Sequence, residues 1–362
     1  MAKKESSKKA HPGIIPGFFW WYFSGLIAIV FLLAYLYTQF AATHCHYASN
    51  VRLAAAVAVP KLDRVAYDKK MLKIANYPLA SSTATSTGKN PWPVVAPYPN
   101  AGAILPFKRI VAYYGNFYST GMGVLGQYPE AEMLAKLKVE VAKWNAADPS
   151  TPVLPAIDYI VVTAQGSAGT DGKYRLRMPD DQIDHALDLA HEVGGIVILD
   201  VQVGLSDLHT ELPLLEKYLK KPDVHLAIDP EFAMHNGAKP GTVIGTMDAS
   251  DVNYAANYLA QLVKENHLPP KILIVHRFTE EMVTGYKRIT PLPDVQIVMD
   301  MDGWGTPAKK LGTYDRVIHD EPVQFSGFKL FYKNDLLAPS TRMLGPADLL
   351  KLQPQPLFIQ FQ

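Results

Sequence analysis

The stretch GGIVILDVQVGLSDLHTELPLLEKYLKKPDVHLAIDPE, residues 194–231, decides the fold. Gly194-Gly195 ends one helix and launches an apolar, β-branched run from Ile196 to Val203. A helix-period segment follows over 208–220, and a second apolar run covers Val224 to Glu231. Two such runs with a helix between them read as one parallel crossover unit, because parallel neighbours need a connection of a dozen or more residues.

Outward from this unit the same pattern repeats. Upstream, a strand is predicted at Arg109 to Asn116, a helix near Pro129 to Ala146, a strand at Val153 to Gln165 and a helix at Asp180 to Val193. Pro129 sits where a first-turn proline belongs. Downstream come a helix at 250–266, a strand at 271–278 and a shorter helix near 279–287. A strand at 295–302, a helix at 306–314 and strands at 326–332 and 356–361 complete the series. Eight alternations over about 255 residues predict an α/β fold, a (β/α)8 TIM-type barrel, occupying 107–362. The alternative is a doubly wound sheet. Against it, Tyr113-Tyr114-Gly115-Asn116 after the first strand is no dinucleotide fingerprint.

In such a barrel the chemistry sits at the carboxyl ends of the strands. Those ends are polar here: Asp200 and Gln202, Asp229 and Glu231, His276, Asp300 and Asp302. Side chains alternate along a strand, so each pair two residues apart shares a face. Carboxylates crowded on one mouth raise one another's pKa, which suits acid/base work. The candidate catalytic residues are Glu231, Asp229, Asp200 and Asp302. Candidate substrate-binding residues are Tyr113, Tyr114, Gln202, His276, Asp300, Trp304 and Tyr332, with aromatic faces suited to sugar stacking. A buried hydrogen-bond network tying loops down is the competing account of the same groups.

The chain begins differently. Lys3, Lys4, Lys8 and Lys9 face a single acid, Glu5, and no Asp, Glu, Lys or Arg occurs from Pro12 to Val51. Within that window Phe18 to Phe40 is nearly continuous apolar sequence with aromatic residues at both ends. About 20 residues cross a bilayer, and the preceding lysines place the amino terminus in the cytoplasm. The expected organisation is a cytoplasmic tail at 1–12, a transmembrane helix at 13–42 and a Pro/Ser/Thr-containing extracytoplasmic arm at 43–106. The barrel then lies outside an inner membrane, with residues 18–40 in lipid. A cleaved signal peptide, a lipoprotein signal at Cys45 and a buried core helix are the alternatives; the apolar run is long for the first. The arm carries Ser81 to Gly88 and then Pro91, Pro93, Pro97, Pro99 and Pro106, and reads as a spacer or as a strap lying on a partner.

Composition excludes other classes. The net charge is +1, so no overall field draws nucleic acid. Cys45 is the single cysteine, which excludes an internal disulfide framework and a cysteine-rich zinc site. His44-Cys45-His46 cannot close a tetrahedral metal site alone. Neither a cofactor nor a resident metal is expected.

The motifs AYYG (112–115), MGVLGQY (122–128), LDVQVG (199–204), HLAIDPEF (225–232), IVHRF (274–278), MDMDGWG (299–305) and KLFY (329–332) together carry a resemblance. Residues 109–362 resemble a family of bacterial cell-surface proteins with a glycosidase-like (β/α)8 barrel. Asp229-Pro230-Glu231 is similar in placement to the Asp-x-Glu of lysozyme-like and chitinase-like barrels. The resemblance implies that Glu231 is a general acid assisted by a neighbouring Asp. Val224 and Ala227 stand where the first two acids of the longer chitinase run would be, and no glutamate ends the seventh strand.

Three functions follow as expectations. The first is a membrane-anchored glycoside hydrolase acting on or binding envelope polysaccharide. The second is a catalytically inactive barrel serving as an accessory subunit of a respiratory or photosynthetic membrane complex. The third is a metal-dependent hydrolase built on His276 with Asp200, Asp300 and Asp302.

Overall fold

The computed structural model describes residues 61–77 and 90–362. Eight parallel strands close on themselves: β1 (Arg109–Gly115), β2 (Val153–Ala164), β3 (Ile196–Val201), β4 (Val224–Ile228), β5 (Lys271–Arg277), β6 (Val295–Met301), β7 (Phe325–Leu330) and β8 (Phe358–Phe361). β1 pairs in parallel with both β2 and β8, which shuts the barrel. The doubly wound alternative is thereby excluded. The proposed transmembrane helix at 13–42, the His44-Cys45-His46 cluster and the Ser81 to Gly88 tract lie outside the described residues.

Alternation along each strand separates two cores. Val111, Tyr113, Leu199, Leu226 and Leu273 point outward and pack under the surrounding helices. Those include α2 (Glu130–Ala147), α3 (Asp180–Glu192), α4 (Ala249–Asn266) and α5 (Pro307–Tyr314). Ile110, Ala112, Ile198, Ala227, Ile274, Val298 and Phe358 point inward and fill the amino-terminal half of the barrel interior. Further along the same inward rows the residues become Tyr114, Asp158, Asp200, Asp229, His276, Asp300, Lys329 and Gln360, all buried. The interior therefore runs from apolar to ionisable along the barrel axis, and the change of character fixes where a site lies.

The arm was expected to be free of the barrel up to residue 106. Instead α1 (Arg64–Ala75) precedes β1 and closes the amino-terminal end of the barrel. Tyr67, Met71 and Ile74, spaced i, i+4 and i+7 on one face, join the same cluster as Ile110, Ile272 and Phe358. Asp63 caps the helix by accepting from Ala66 N–H at 2.9 Å, and Lys73 reaches Asp148 at 2.8 Å. Residues 90–106 also lie on the barrel. Asn100 N–H donates to Pro293 O at 2.8 Å, and Ile104 and Leu105 N–H both donate to Gln296 Oε1 at 3.0 Å. The described residues 61–77 and 90–106 therefore pack with the barrel that was expected to begin at 107.

Three local expectations also change. The segment 208–220 is not one helix but Leu208–Glu211, a 3-10 turn Leu212–Leu215 and Glu216–Leu219. Pro213 lacks the N–H that a continuous helix needs there. No helix forms at 279–287; two 3-10 turns flank a short strand, Val283–Thr284, that pairs with Met247–Asp248. Gly285, with φ of 68°, ends that strand in the left-handed region. β4 stops at Ile228 instead of running to 231, because Asp229 caps a 3-10 turn over Pro230–Phe232.

Candidate active site

At the carboxyl ends of the strands a cavity of about 820 Å³ opens, lined on one side by Asp229, Glu231 and Asp302. Its floor is tied by Gln202. This side chain accepts from Ala164 N–H at 3.1 Å and donates to Tyr114 Oη at 3.2 Å and Asp229 Oδ2 at 3.3 Å. Asp229 Oδ1 accepts Glu231 N–H at 3.0 Å, so the turn that ends β4 also orients Glu231. Both Asp229 oxygens are thus engaged. Asp302 differs: its Oδ1 is buried without a partner among the described residues. One oxygen from each of Asp229, Glu231 and Asp302 lies within 4.8 Å of the others.

Beneath this trio sits a buried ionic layer. His276 Nε2 is 2.9 Å from Asp200 Oδ2, while Nδ1 is 3.3 Å from Asp300 Oδ2 and 3.5 Å from Asp302 Oδ2. Strand register makes this possible, since His276 of β5 pairs directly with Asp300 of β6, and Asp300 with Gly327 of β7. A Cβ at 327 would meet Asp300 Oδ1 at 2.4 Å, so the absent side chain leaves room for the carboxylate. On β2, Asp158 Oδ2 accepts from Gln360 Nε2 at 2.6 Å.

Six carboxyl groups, Asp158, Asp200, Asp229, Glu231, Asp300 and Asp302, face two interior cations, His276 and Lys329. Burial pushes the imidazole of His276 down, but its bonds to Asp200 and Asp300 and the charge of Asp302 outweigh this and hold it well above the ordinary value. It is therefore an imidazolium. Burial and the Asp200 charge push Asp158 up to about 8. Burial raises Asp229 well above the carboxylate range, with His276 opposing and the neighbouring acids adding. Burial and Asp302 push Glu231 up to about 7, against the charges of Lys329 and His276. Burial also raises Asp302, opposed first by His276 and then by Lys329.

The structure brings Glu231, Asp229, Asp302, Gln202, Tyr114 and Trp304 to the cavity wall. Trp304 is exposed at the rim. Asp200, His276 and Asp300 are fully buried and do not line the cavity. Tyr113 faces the other way: adjacent residues on a strand point to opposite faces. Its hydroxyl lies 3.0 Å from that of Tyr332, which in turn donates to Glu140 at 3.3 Å, outside the barrel wall. Tyr332 borders a separate groove. The metal-hydrolase expectation loses its imidazole, because His276 is fully buried, does not border the cavity and has its Nε2 engaged by Asp200. Three carboxylate oxygens of Asp229, Glu231 and Asp302 remain a set that a hard cation accepts. Sequence reading missed Asp158, Lys329 and Gln360. Each is a lone polar residue at an inward position of an otherwise apolar run, IDYIVV, FKLF and FIQF. That parity was the available signal.

No protein-family model matches the chain, and no curated protein matches it. Among solved structures, the cellulase Cel5C_n is similar at 16% identity and TM-score 0.37, covering 61% of this chain and 65% of its own. A ruminal GH26 endo-beta-1,4-mannanase is similar at 12% identity and TM-score 0.33, covering 70% of this chain and 59% of its own. The Bacillus subtilis mannanase BCman is similar at 11% identity and TM-score 0.35, covering 71% of this chain and 81% of its own. The chain therefore spans less than two thirds of the first two.

Proposed function

We propose that this barrel is a retaining glycoside hydrolase of envelope polysaccharide, held outside the inner membrane by residues 18–40. The observation that carries the reading is the short separation of Glu231 and Asp302, whose nearest oxygens lie within 4.8 Å. Retaining enzymes hold their two carboxyl groups about 5–5.5 Å apart, whereas inverting ones leave about 6.5–9.5 Å for a water. Glu231, pushed up to about 7, keeps its proton near neutrality and gives it to the leaving glycosidic oxygen. Asp302 is the nucleophile, because it borders the cavity beside Glu231 while both oxygens of Asp229 are held. Attack on the anomeric carbon expels the alcohol and forms a glycosyl ester on Asp302. Glu231, now a carboxylate, takes a proton from water as that water displaces Asp302 and regenerates both groups. Burial raises the Asp302 carboxyl, and the positive charge of His276, 3.5 Å away, opposes that rise.

The test uses the full chain in mild detergent. A 2-deoxy-2-fluoroglycoside carrying a good leaving group should trap the ester, and peptide mass spectrometry should find the sugar on Asp302. Retained anomeric configuration in the first product completes the expected result. Trapping on another residue, or inversion, overturns the assignment. No sugar release from any polysaccharide, with the chain purifying in a stoichiometric membrane complex, would instead support the inactive accessory subunit. Amino-terminal sequencing tests the anchor, and a mature start near residue 43 or 59 overturns it.

A further inference from the structure

The cavity also has a cationic lining: Lys309, Lys310, Arg316 and Lys329 all border it. Two of the four are neutralised. Lys310 Nζ donates to Asp335 Oδ2 at 2.6 Å and to Lys329 O at 2.7 Å, which makes it a prop for β7. Arg316 pairs with Glu280 at 2.9 Å. The other two have no carboxylate within ion-pair distance among the described residues. Lys329 is 4% exposed, yet its ammonium lies 3.8 Å from the centre of the Tyr114 ring and 5.3 Å from that of Phe331. Lys309 holds its ammonium 5.0 Å from the centre of the Trp304 ring at the rim.

A buried lysine is costly unless something compensates its charge. Cation–π contacts supply part of this, on the order of 0.5–2 kcal/mol each. The distant field of Asp302 and Glu231 supplies more, and it weakens when Glu231 carries its proton, the state needed at the start of the reaction. At that moment Lys329 is the buried charge on the cavity wall with the fewest direct partners. An anion entering from solvent is attracted by Lys329 and Lys309 and repelled by whichever of the acids is ionised, which biases how it lies.

We infer that the cavity takes an acidic saccharide, a chain bearing carboxylate groups such as uronic acids, and that Lys329 receives a carboxylate with Lys309 assisting at the rim. The inference rests on the glycoside-hydrolase reading for the sugar and on the unpaired cations for its charge. Lys329 selects the substrate and orients it by that charge.

The experiment measures binding by calorimetry on full-length Glu231→Gln protein in mild detergent, so that bound ligand is not cleaved. The probes are galacturonate-, glucuronate- and mannuronate-containing oligosaccharides and the same oligosaccharides after carboxyl reduction. At least one acidic probe should bind about 10- to 100-fold tighter than its reduced form, the range a single charged hydrogen bond supports. Adding Lys329→Met should abolish that ratio, and Lys329→Arg should preserve most of it. Lys309→Met, at an exposed site where folding is not at stake, should reduce the ratio and its sensitivity to salt. Equal affinity for both forms, a ratio indifferent to both lysine substitutions, or no binding of any acidic probe overturns the inference. Turnover separates the two readings. Wild-type cleavage confined to neutral glycans keeps the hydrolase and removes the anion site. Lysine-dependent binding of acidic probes, with no cleavage of any by the wild type, keeps the anion site and removes the hydrolase.

Discussion

His276 Nε2 and Asp200 Oδ2 stand 2.9 Å apart with neither side chain exposed to solvent, and Asp300 closes on the other ring nitrogen at 3.3 Å. This ion cluster lies inside the barrel, one layer below the carboxylates that face the cavity. Replacing His276 with Gln should remove the charge that makes Asp200 and Asp300 tolerable there. Breaking one side of a buried ion pair costs about 3–5 kcal/mol, and urea unfolding at neutral pH should register a loss of that order. Combining His276→Gln with Asp200→Asn should return part of it, because two neutral amides replace an orphaned carboxylate. The folded pKa of His276 is raised, so its contribution is complete below the unfolded value near 6.5 and is lost as pH rises through the folded value. Wild-type stability should therefore decline at alkaline pH, and the variant should lack that decline. An additive double mutant would sink the coupled-cluster account.

Glu231 gives the activity its alkaline limb. The acid works only while protonated, and its pKa is pushed up to about 7. Turnover should fall as pH rises through that value. Asp302 must be ionised to attack, so activity should also fall at lower pH, giving a bell. Glu231→Gln should cost about 10²–10⁴-fold in turnover and little in melting temperature, since the side chain is only partly buried and accepts no ion pair. A substrate with an activated leaving group should recover much of the first step. Unchanged turnover on a natural glycan would remove Glu231 from the mechanism.

Acid sensitivity should trace to Asp148 at the other end of the barrel. Burial pushes this carboxyl up, but hydrogen bonds from Lys73, Ser150 and Thr151 and the charge of Arg109 outweigh it and hold it well below the usual range. Its folded pKa is depressed, so the stabilisation is present above the unfolded value near 3.9 and is lost as pH falls toward the folded one. Asp148→Asn should flatten the acid limb of stability measured by urea unfolding between about pH 5 and 2. It should also cost about 3–5 kcal/mol at neutral pH, because Arg109 is fully buried and pairs with Asp148 at 3.3 Å. An acid limb as steep in the variant as in wild type would move the effect elsewhere.

The barrel was legible because its strands announce themselves locally. Runs such as IVILDVQV and KILIVHRF are apolar, β-branched and evenly interrupted by helical segments, so strand count and order follow from pattern. The site was legible in part for the same reason: acids two residues apart, as Asp229 with Glu231 and Asp300 with Asp302, cluster visibly at strand ends. Depth was not legible. Asp200 and Asp302 look alike in sequence, yet the first is fully buried beside His276 and the second borders the cavity, because Asp200 lies within β3 whereas Asp302 follows the last residue of β6. Tyr113 and Tyr114 illustrate a rule that sequence did supply, since neighbours on a strand cannot both face inward. α1 escaped because Tyr67, Met71 and Ile74 are few and set among lysines, so their shared face gains meaning only against the open end of a barrel that forms later in the chain.

That last point changes what holds residues 90–106. A strap on a partner protein would be protected from protease only in the native membrane, whereas this segment has its anchorage in the barrel itself. Gln296 is the central fixture: its Oε1 accepts Ile104 and Leu105 N–H at 3.0 Å, and its Nε2 donates to Leu105 O at 2.6 Å. Leu105 is fully buried in the inner core. Full-length protein in mild detergent should therefore resist limited proteolysis across 90–106 as well as it does in membranes. Gln296→Ala leaves those three backbone groups without this partner, two of them in buried bonds, at about 1–3 kcal/mol for each buried group left unsatisfied. The variant should be cut within 90–106 in both settings, while cleavage sites in the helices around the barrel stay protected. Resistance that appears in membranes and vanishes in detergent for the wild type would restore the partner-bound strap and refute intramolecular docking of this segment.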